Sequence, residues 1–162
     1  MEEQQKINIL AVDDHQMFID GIKSLLRKNQ KFNIVLEANS GQQALDFLKS
    51  GEAIDIVMTD ISMPEMSGVE LVKAIKKEYP EIKILVLSMY NEKEMVDDIV
   101  MAEAEGYILK NTGKEELTKA LEQIADGTTH YSPEVINTMF KKIKNIFNII
   151  NQYKHDHCLV PE

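Results

Sequence analysis

The sequence contains few of the residues that stabilise secreted or membrane-bound proteins. It has no tryptophan and a single cysteine, Cys158, in 162 residues. Because a disulfide needs two cysteines, an internal disulfide is excluded and a reducing compartment is expected. No apolar run approaches the roughly 20 residues that a membrane-spanning helix needs. The polar start, MEEQQK, is not a signal peptide. We therefore expect a cytoplasmic protein without a membrane partner.

The chain also lacks an excess of positive charge. It has 18 lysine and arginine residues against 27 aspartate and glutamate residues, a formal net charge of −9. A protein that binds the phosphate backbone of nucleic acids needs a basic face. The composition therefore disfavours direct DNA binding by this chain, whereas an acidic surplus suits the binding of a divalent cation or a basic partner.

Short apolar segments alternate along the chain with amphipathic stripes. The segments are typical of buried strands and lie at residues 7–12, 32–36, 54–58, 82–87 and 107–109. Apolar residues at helical spacing follow each of them, in stripes that begin at Phe18, Ala44, Val72, Val96 and Leu117. This alternation predicts an α/β fold, a doubly wound parallel sheet with helices on both faces.

Polar side chains stand where four of the predicted strands end. The first strand ends in Asp13 and Asp14, the third in Asp60, the fourth in Ser88 and the fifth in Lys110. In a doubly wound sheet these ends form one rim, where ligands bind. Clustered carboxylates repel one another unless a cation neutralises them, and oxygen ligands favour Mg²⁺. The rim therefore predicts a Mg²⁺ site in which an aspartate can attack a phosphoryl group.

Each of these residues taken alone has an ordinary structural explanation. A single aspartate after a strand is usually a helix N-cap. A lysine at a strand end usually faces solvent, so replacing Lys110 with alanine is expected to leave the fold intact. The convergence of all five residues on one rim favours the functional interpretation.

Four segments resemble the signatures of CheY-like receiver domains of bacterial response regulators. They are AVDDH (residues 11–15), TDISMP (59–64) with Gly68, LSM (87–89) and GYILK (106–110), in the order and spacing of that family. The resemblance covers residues 6–127. It implies a flavodoxin-like, five-stranded parallel sheet of strand order 2-1-3-4-5 with five helices, followed here by a C-terminal helix.

The resemblance also implies the chemistry of the acidic residues. Asp60 would be the phosphoacceptor and would receive its phosphoryl group from a sensor histidine kinase. Asp14, Asp60 and the backbone carbonyl of Ser62 would ligate Mg²⁺, and Asp13 would act through a coordinated water. Such a protein is a signalling phosphoacceptor and not an enzyme, since it catalyses only its own phosphorylation and dephosphorylation.

Three further residues have implied roles in the response to phosphorylation. Lys110 would pair with the phosphoryl group, and Ser88 would hydrogen-bond to it in the active state. Tyr107 would be the aromatic switch residue that turns inward as Ser88 moves.

Two other classes of protein with a related fold fit the sequence less well. A flavodoxin-type carrier needs a phosphate cradle where this chain has Asp13, and aspartyl-phosphate hydrolases have a second aspartate where it has Ser62.

Details of the motifs resemble the NarL-type regulators, which carry a C-terminal helix-turn-helix. These details are the histidine after the aspartate pair, Met89, and Lys-Asn-Thr-Gly at residues 110–113. A DNA-binding domain needs roughly 60 further residues, and only about 30 follow the linker. We therefore expect control of transcription through a domain absent from this chain, or else a stand-alone phosphorelay or protein-interaction receiver.

Glu103 departs from the glycine common in the family, so the turn after the fourth helix is expected to differ in shape or be looser.

The remaining residues divide into a linker at 128–133, an amphipathic helix at 134–153 and a disordered tail at 154–162. Ser132 and Pro133 are typical of a helix start. An apolar stripe follows at heptad spacing, widened by Phe140 and Phe147, and consists of Ile136, Met139, Ile143, Ile146, Ile150 and Tyr153. Three arrangements are compatible with this stripe: a helix docked on the receiver, a homodimeric coiled coil, or an interdomain linker.

Overall fold

The computed structural model describes residues 4–89 and 93–158, which form a parallel sheet flanked by helices. All strand pairs of the sheet are parallel, and its strand order is β2-β1-β3-β4-β5-β6. The strands are β1 (Ile7–Val12), β2 (Phe32–Ala38), β3 (Ile56–Asp60), β4 (Lys83–Ser88), β5 (Gly106–Leu109) and β6 (His130–Tyr131). The order of the first five is the predicted flavodoxin-like order, so the predicted fold class is confirmed.

Six helices accompany the sheet. They are α1 (Gln16–Leu26), α2 (Gly41–Lys49), α3 (Gly68–Glu78), α4 (Lys93–Met101), α5 (Lys114–Ala125) and α6 (Pro133–Asp156). None of the helices in the described part of the chain is long and apolar enough to span a membrane.

The two faces of the sheet bury separate apolar cores. Successive side chains of a strand point to opposite faces, so Leu10 of β1 packs with α2, α3 and α4, while Ile9 packs with α1 and α5. The strands β3 and β4 are buried almost throughout, as central strands of a parallel sheet should be. The rim residues stand at the ends of strands that these two cores bury.

Serine side chains define where two of the helices begin. The Ser40 hydroxyl accepts a hydrogen bond from the backbone N–H of Gln43 at 3.1 Å, and the Ser67 hydroxyl accepts one from Glu70 at 3.2 Å. Each bond satisfies one of the N–H groups that a helix start leaves free. The Ser67 cap fixes the start of α3 directly beyond the loop that follows Asp60.

The segment predicted as a linker contains a sixth strand. His130 and Tyr131 pair with Gly106 and Tyr107 of β5, and the backbone N–H of Ser132 donates to the carbonyl of Tyr107 at 2.9 Å. The predicted linker over 128–133 thus includes two residues that join the sheet, which the sequence did not predict because a two-residue strand leaves no readable alternation.

The C-terminal helix is longer than predicted. It runs from Pro133 to Asp156, so residues 154–156, predicted to be disordered, are helical, and residues 159–162 lie outside the described part of the chain. Its first turns pack on the receiver: Val135 is fully buried, Met139 is half-buried against the core, and Lys142 forms an ion pair with Asp97 of α4.

The turn after α4 keeps the left-handed conformation despite its glutamate. Glu103 has a φ of 66°, and the backbone N–H of Ala104 donates to the carbonyl of Ile99 at 3.4 Å. The expectation of a differently shaped turn was therefore wrong. The Glu103 side chain is exposed, and the left-handed conformation costs it roughly 1 kcal/mol.

Candidate functional site

The sheet register brings four of the predicted residues to one rim. Asp60 is the last residue of β3 and Ser88 the last of β4, while Asp13 and Lys110 directly follow β1 and β5. Asp60 pairs with Leu87, and Ser88 pairs with Leu109. The backbone N–H of Lys110 donates to the carbonyl of Ser88 at 2.8 Å, so its side chain starts at the level of the acidic residues.

One lysine contacts two buried carboxylates at this rim. The Nζ atom of Lys110 lies 2.6 Å from Oδ2 of Asp13 and 3.3 Å from Oδ2 of Asp60, and the three side chains are 6%, 3% and 6% exposed. Lys110 was predicted to face solvent, and that expectation was wrong. The carboxylates attract the ammonium group inward, and the ring of Phe18, with its centroid 4.3 Å from Nζ, covers it from outside.

Asp14 and His15 complete an acidic cluster. Carboxylate oxygens of Asp13, Asp14 and Asp60 and a ring nitrogen of His15 all lie within 4.8 Å of one another. The His15 Nδ1 atom is 3.1 Å from Oδ1 of Asp14 and 3.3 Å from Oδ1 of Asp13. Three carboxylates so close together fit a hard divalent cation such as Mg²⁺, which binds through oxygen.

The environment of Asp60 opposes its ionisation. Burial raises the pKa of the Asp60 carboxyl, and the neighbouring charge of Asp13 raises it further, while Lys110 acts in the opposite direction. A hydrogen bond from the backbone of Ser62 also lowers the pKa. The backbone N–H of Ile61 donates to Oδ1 of Asp60 at 2.8 Å and so orients the carboxylate.

A cleft of about 310 Å³ opens above Asp60. Its lining combines polar groups of the rim with two apolar side chains, and consists of His15, Phe18, Asp60, Ser62, Ser88, Met89 and Lys110. Ser62 is exposed at the cleft, and Ser88 is 2% exposed at its floor. The cleft therefore gives a small charged group access to a carboxylate that is otherwise buried.

The loop between Asp60 and α3 depends on a glycine. The backbone N–H of Gly68 donates to the carbonyl of Ile61 at 2.8 Å. A Cβ atom at position 68 would lie 2.3 Å from the carbonyl oxygen of Asp60 and 2.7 Å from Cα of Ile61. Only glycine allows this approach, so Gly68 fixes the backbone next to Asp60.

Tyr107 lies inside the protein and not at the cleft. It is fully buried in the core that α2, α3 and α4 cover, and it pairs with Val86 of β4 on one side and Tyr131 of β6 on the other. The structure therefore shows the Tyr107 side chain in an inward position.

Three contacts at the site were not predicted from the sequence. Two are those of His15 and Phe18 described above, and in the third the side-chain amide of Asn39 donates to the backbone carbonyl of Asp13 at 3.2 Å. His15 could have been found from its position directly after the two aspartates. Phe18 was assigned to the core stripe of α1, and its second role depends on the position of Lys110, which the sequence does not encode locally.

Residues 9–122 match the family model of the response regulator receiver domain. The chain belongs to this family. It is 30% identical over 145 residues to the transcriptional regulatory protein DegU of Brevibacillus brevis, an alignment that covers 90% of this chain and 61% of DegU. The chain thus spans about three fifths of the length of that relative.

Solved structures agree in fold with this assignment. The isolated receiver domain of RcsB from Salmonella enterica serovar Typhimurium, determined with the phosphomimetic BeF3–, is 28% identical; the match covers 83% of this chain and 99% of that one, with a TM-score of 0.76. A LuxR-family two-component response regulator from an Aurantimonas species is 25% identical, covering 85% and 98%, with a TM-score of 0.79. The chain is therefore a receiver domain of a two-component response regulator related to the LuxR and NarL types.

Proposed function

We propose that Asp60 accepts a phosphoryl group from the phosphohistidine of a sensor histidine kinase. The observation that carries this proposal is the pairing of a nearly buried Asp60 carboxylate with the Lys110 ammonium group, 3.3 Å away, at the floor of an open cleft. In the transfer, an Asp60 oxygen forms a bond to phosphorus while the bond from phosphorus to the kinase imidazole breaks. The electron pair of the broken bond stays on the imidazole nitrogen.

Lys110 and Ser88 would stabilise the phosphoryl group once it is attached. The Lys110 ammonium group pairs with both Asp13 and Asp60, and it lies close enough to Asp60 to pair with a phosphoryl oxygen there. Ser88, at the end of the neighbouring strand β4, lines the same cleft and offers a hydroxyl donor. Both groups would act on charge that spreads over the phosphoryl oxygens during transfer.

The acidic cluster would hold the Mg²⁺ ion that the reaction needs. Asp14, Asp60 and the backbone carbonyl of Ser62 would be its protein ligands, and Asp13 would act through a coordinated water. A bound Mg²⁺ ion offsets negative charge on the incoming phosphoryl group. Without it, three carboxylates and a dianionic group would repel one another.

Phosphorylation would be reported through Ser88 and Tyr107. Ser88 ends β4, and Tyr107 lies in β5, the next strand of the sheet. The side chain of Tyr107 is buried in the same core cluster as residues of α4. Movement of Ser88 toward the phosphoryl group would therefore stabilise one arrangement of Tyr107 against α4. The surface of α4 and β5 would then differ between the two states.

The response would be control of transcription, carried out by a DNA-binding domain beyond this chain. Support comes from the relative DegU, which is a transcriptional regulatory protein, and from its greater length. The net charge of −9 agrees with a receiver that does not contact DNA itself. The alternative is a stand-alone receiver whose partner is another protein.

Incubation with acetyl phosphate and Mg²⁺ tests the phosphoacceptor role. We expect the intact mass to increase by one phosphoryl group, and the increase to disappear in Asp60→Asn and in the presence of EDTA. Asp55→Asn is the matched control, since Asp55 accepts from the backbone of Asn8 at 2.8 Å, away from the rim. Full labelling of Asp60→Asn would contradict the proposal.

A further inference from the structure

Helix α6 carries an apolar seam that remains largely exposed in the described part of the chain. We call it the α6 seam; its residues lie alternately four and three positions apart. They are Ile136, Phe140, Ile143, Phe147 and Ile150, exposed by 39%, 67%, 61%, 62% and 46%. Large apolar residues at this spacing form one continuous stripe, the pattern through which coiled-coil helices associate.

The receiver does not use this seam when it binds α6. Contacts with the receiver come from Val135, Met139 and Lys142, which lie on the adjacent face of the helix. From Ile143 to the end of the helix at Asp156 every residue is exposed. About 20 Å of helix, at 1.5 Å per residue, therefore projects beyond the receiver with its apolar side free.

A projecting helix of this kind needs a partner to persist. Isolated helices shorter than about 12–15 residues are marginally stable in water. The seam and the flanking Ile146 and Tyr153, exposed by 48% and 63%, give seven large side chains. At on the order of 100 Å² each they present about 700 Å², close to the roughly 800 Å² that each partner buries in a stable protein interface.

We infer that the partner is a second copy of this chain and that the two α6 seams pack together in a homodimer. The same uncharged repeat on a second chain is self-complementary, as a two-fold interface requires. The inference does not depend on the proposed function, because no seam residue contacts the rim.

Charge argues for a second copy over a lipid surface or a nucleic acid. Helix α6 contains four lysines, but Lys142 is paired with Asp97 of α4, and the whole chain has a net charge of −9. An anionic membrane or nucleic acid would repel the receiver, which lies next to the helix. Two copies of the chain repel one another as well, but added salt screens that repulsion and leaves the apolar contact intact.

Sedimentation of the full chain tests the inference. We expect a mass twice the 18.5 kDa of one chain, with association unchanged or tighter at higher salt. The double variant Ile143→Ala/Phe147→Ala should weaken the dimer on the order of 100-fold or more. Alanine is the best helix former, so a loss of association would not come from a weakened helix; circular dichroism of the variant checks this.

The matched control is Asn145→Ala/Asn148→Ala, which places two alanines in the same turns but off the seam. This control and Asp60→Asn should both dimerise like the unmodified chain, so a failure of the phosphoacceptor proposal would leave this result unaffected. An unmodified chain that stays monomeric at sub-millimolar concentration would overturn the inference. So would a seam variant that dimerises normally, or a monomer that instead binds vesicles of phosphatidylglycerol through α6.

Discussion

The ammonium group of Lys110 bridges two carboxylates, because it lies 2.6 Å from Oδ2 of Asp13 and 3.3 Å from Oδ2 of Asp60. All three side chains are almost completely buried. Through these side-chain contacts, Lys110 at the end of β5 is linked to the ends of β1 and β3. A buried charge left without its partner is strongly destabilising, so Lys110 stabilises the metal-free fold as well as serving the proposed chemistry.

Lys110→Ala is therefore expected to destabilise the metal-free protein by about 1–3 kcal/mol, because two neighbouring carboxylates lose their cation. Urea unfolding in EDTA measures this loss, and added Mg²⁺ should restore part of it. Lys23→Ala is the control, since it breaks a more exposed ion pair with Glu37 at 2.7 Å, which solvent screens and which should therefore contribute less to stability than the Lys110 bridge. Equal effects of the two substitutions would show that the bridge is not stabilising.

Asp60→Asn should raise the melting temperature of the metal-free protein near neutral pH. Burial raises the pKa of Asp60, so folding disfavours its ionised form. Stability linked to this group is fully present below the ordinary pKa of 3.8 and is lost as the pH rises through the higher pKa of the folded state. The difference between variant and parent should accordingly shrink on acidification. Melting curves in EDTA across this range measure it, and a lower melting temperature of the variant at neutral pH would contradict the assignment.

Gly68→Ala should destabilise the fold by about 2 kcal/mol or more, because the added Cβ would overlap the backbone of Asp60 and Ile61. Phosphorylation by acetyl phosphate should slow as the acceptor shifts. Gly21→Ala is the matched control: it lies inside α1 with no atom within 4 Å of its added Cβ, and it should stabilise by about 0.5–1 kcal/mol. Thermal unfolding of both variants measures the two effects. Effects of the same sign would contradict the steric role assigned to Gly68.

Glu103→Gly should stabilise the protein by about 1 kcal/mol, because glycine adopts the φ of 66° without strain. Glu103→Ala keeps a Cβ and should bring no such gain, although it removes the same charge. Chemical denaturation separates the two substitutions. If alanine stabilises as much as glycine, the backbone conformation is not the cause.

The convergence at the rim could be predicted because the topology of a parallel sheet brings its strand ends together. Asp13, Asp60 and Ser88 needed only correct strand ends to be placed. The burial of Lys110 could not be predicted in the same way, since it depends on Phe18 of another element and on the field of two carboxylates.

The C-terminal helix shows a second limit of sequence periodicity. Its apolar residues predicted a helix, and the structure has one, but they cover more than one face. The predicted stripe ran through Met139, which in the structure packs on the receiver. The exposed seam runs instead through Phe140 and Phe147, since the docking of the first turns on α4 decides which face remains free.

Chemical mapping of the phosphorylated residue is the most direct test of the phosphoacceptor role of Asp60. After incubation with acetyl phosphate and Mg²⁺, reduction with borohydride converts an aspartyl phosphate to homoserine, which peptide mass spectrometry can locate. We expect a single modified position, Asp60, in the peptide that contains residues 59–64. Modification at Asp13 or Asp14 in place of Asp60, or at a residue away from the rim, would contradict it.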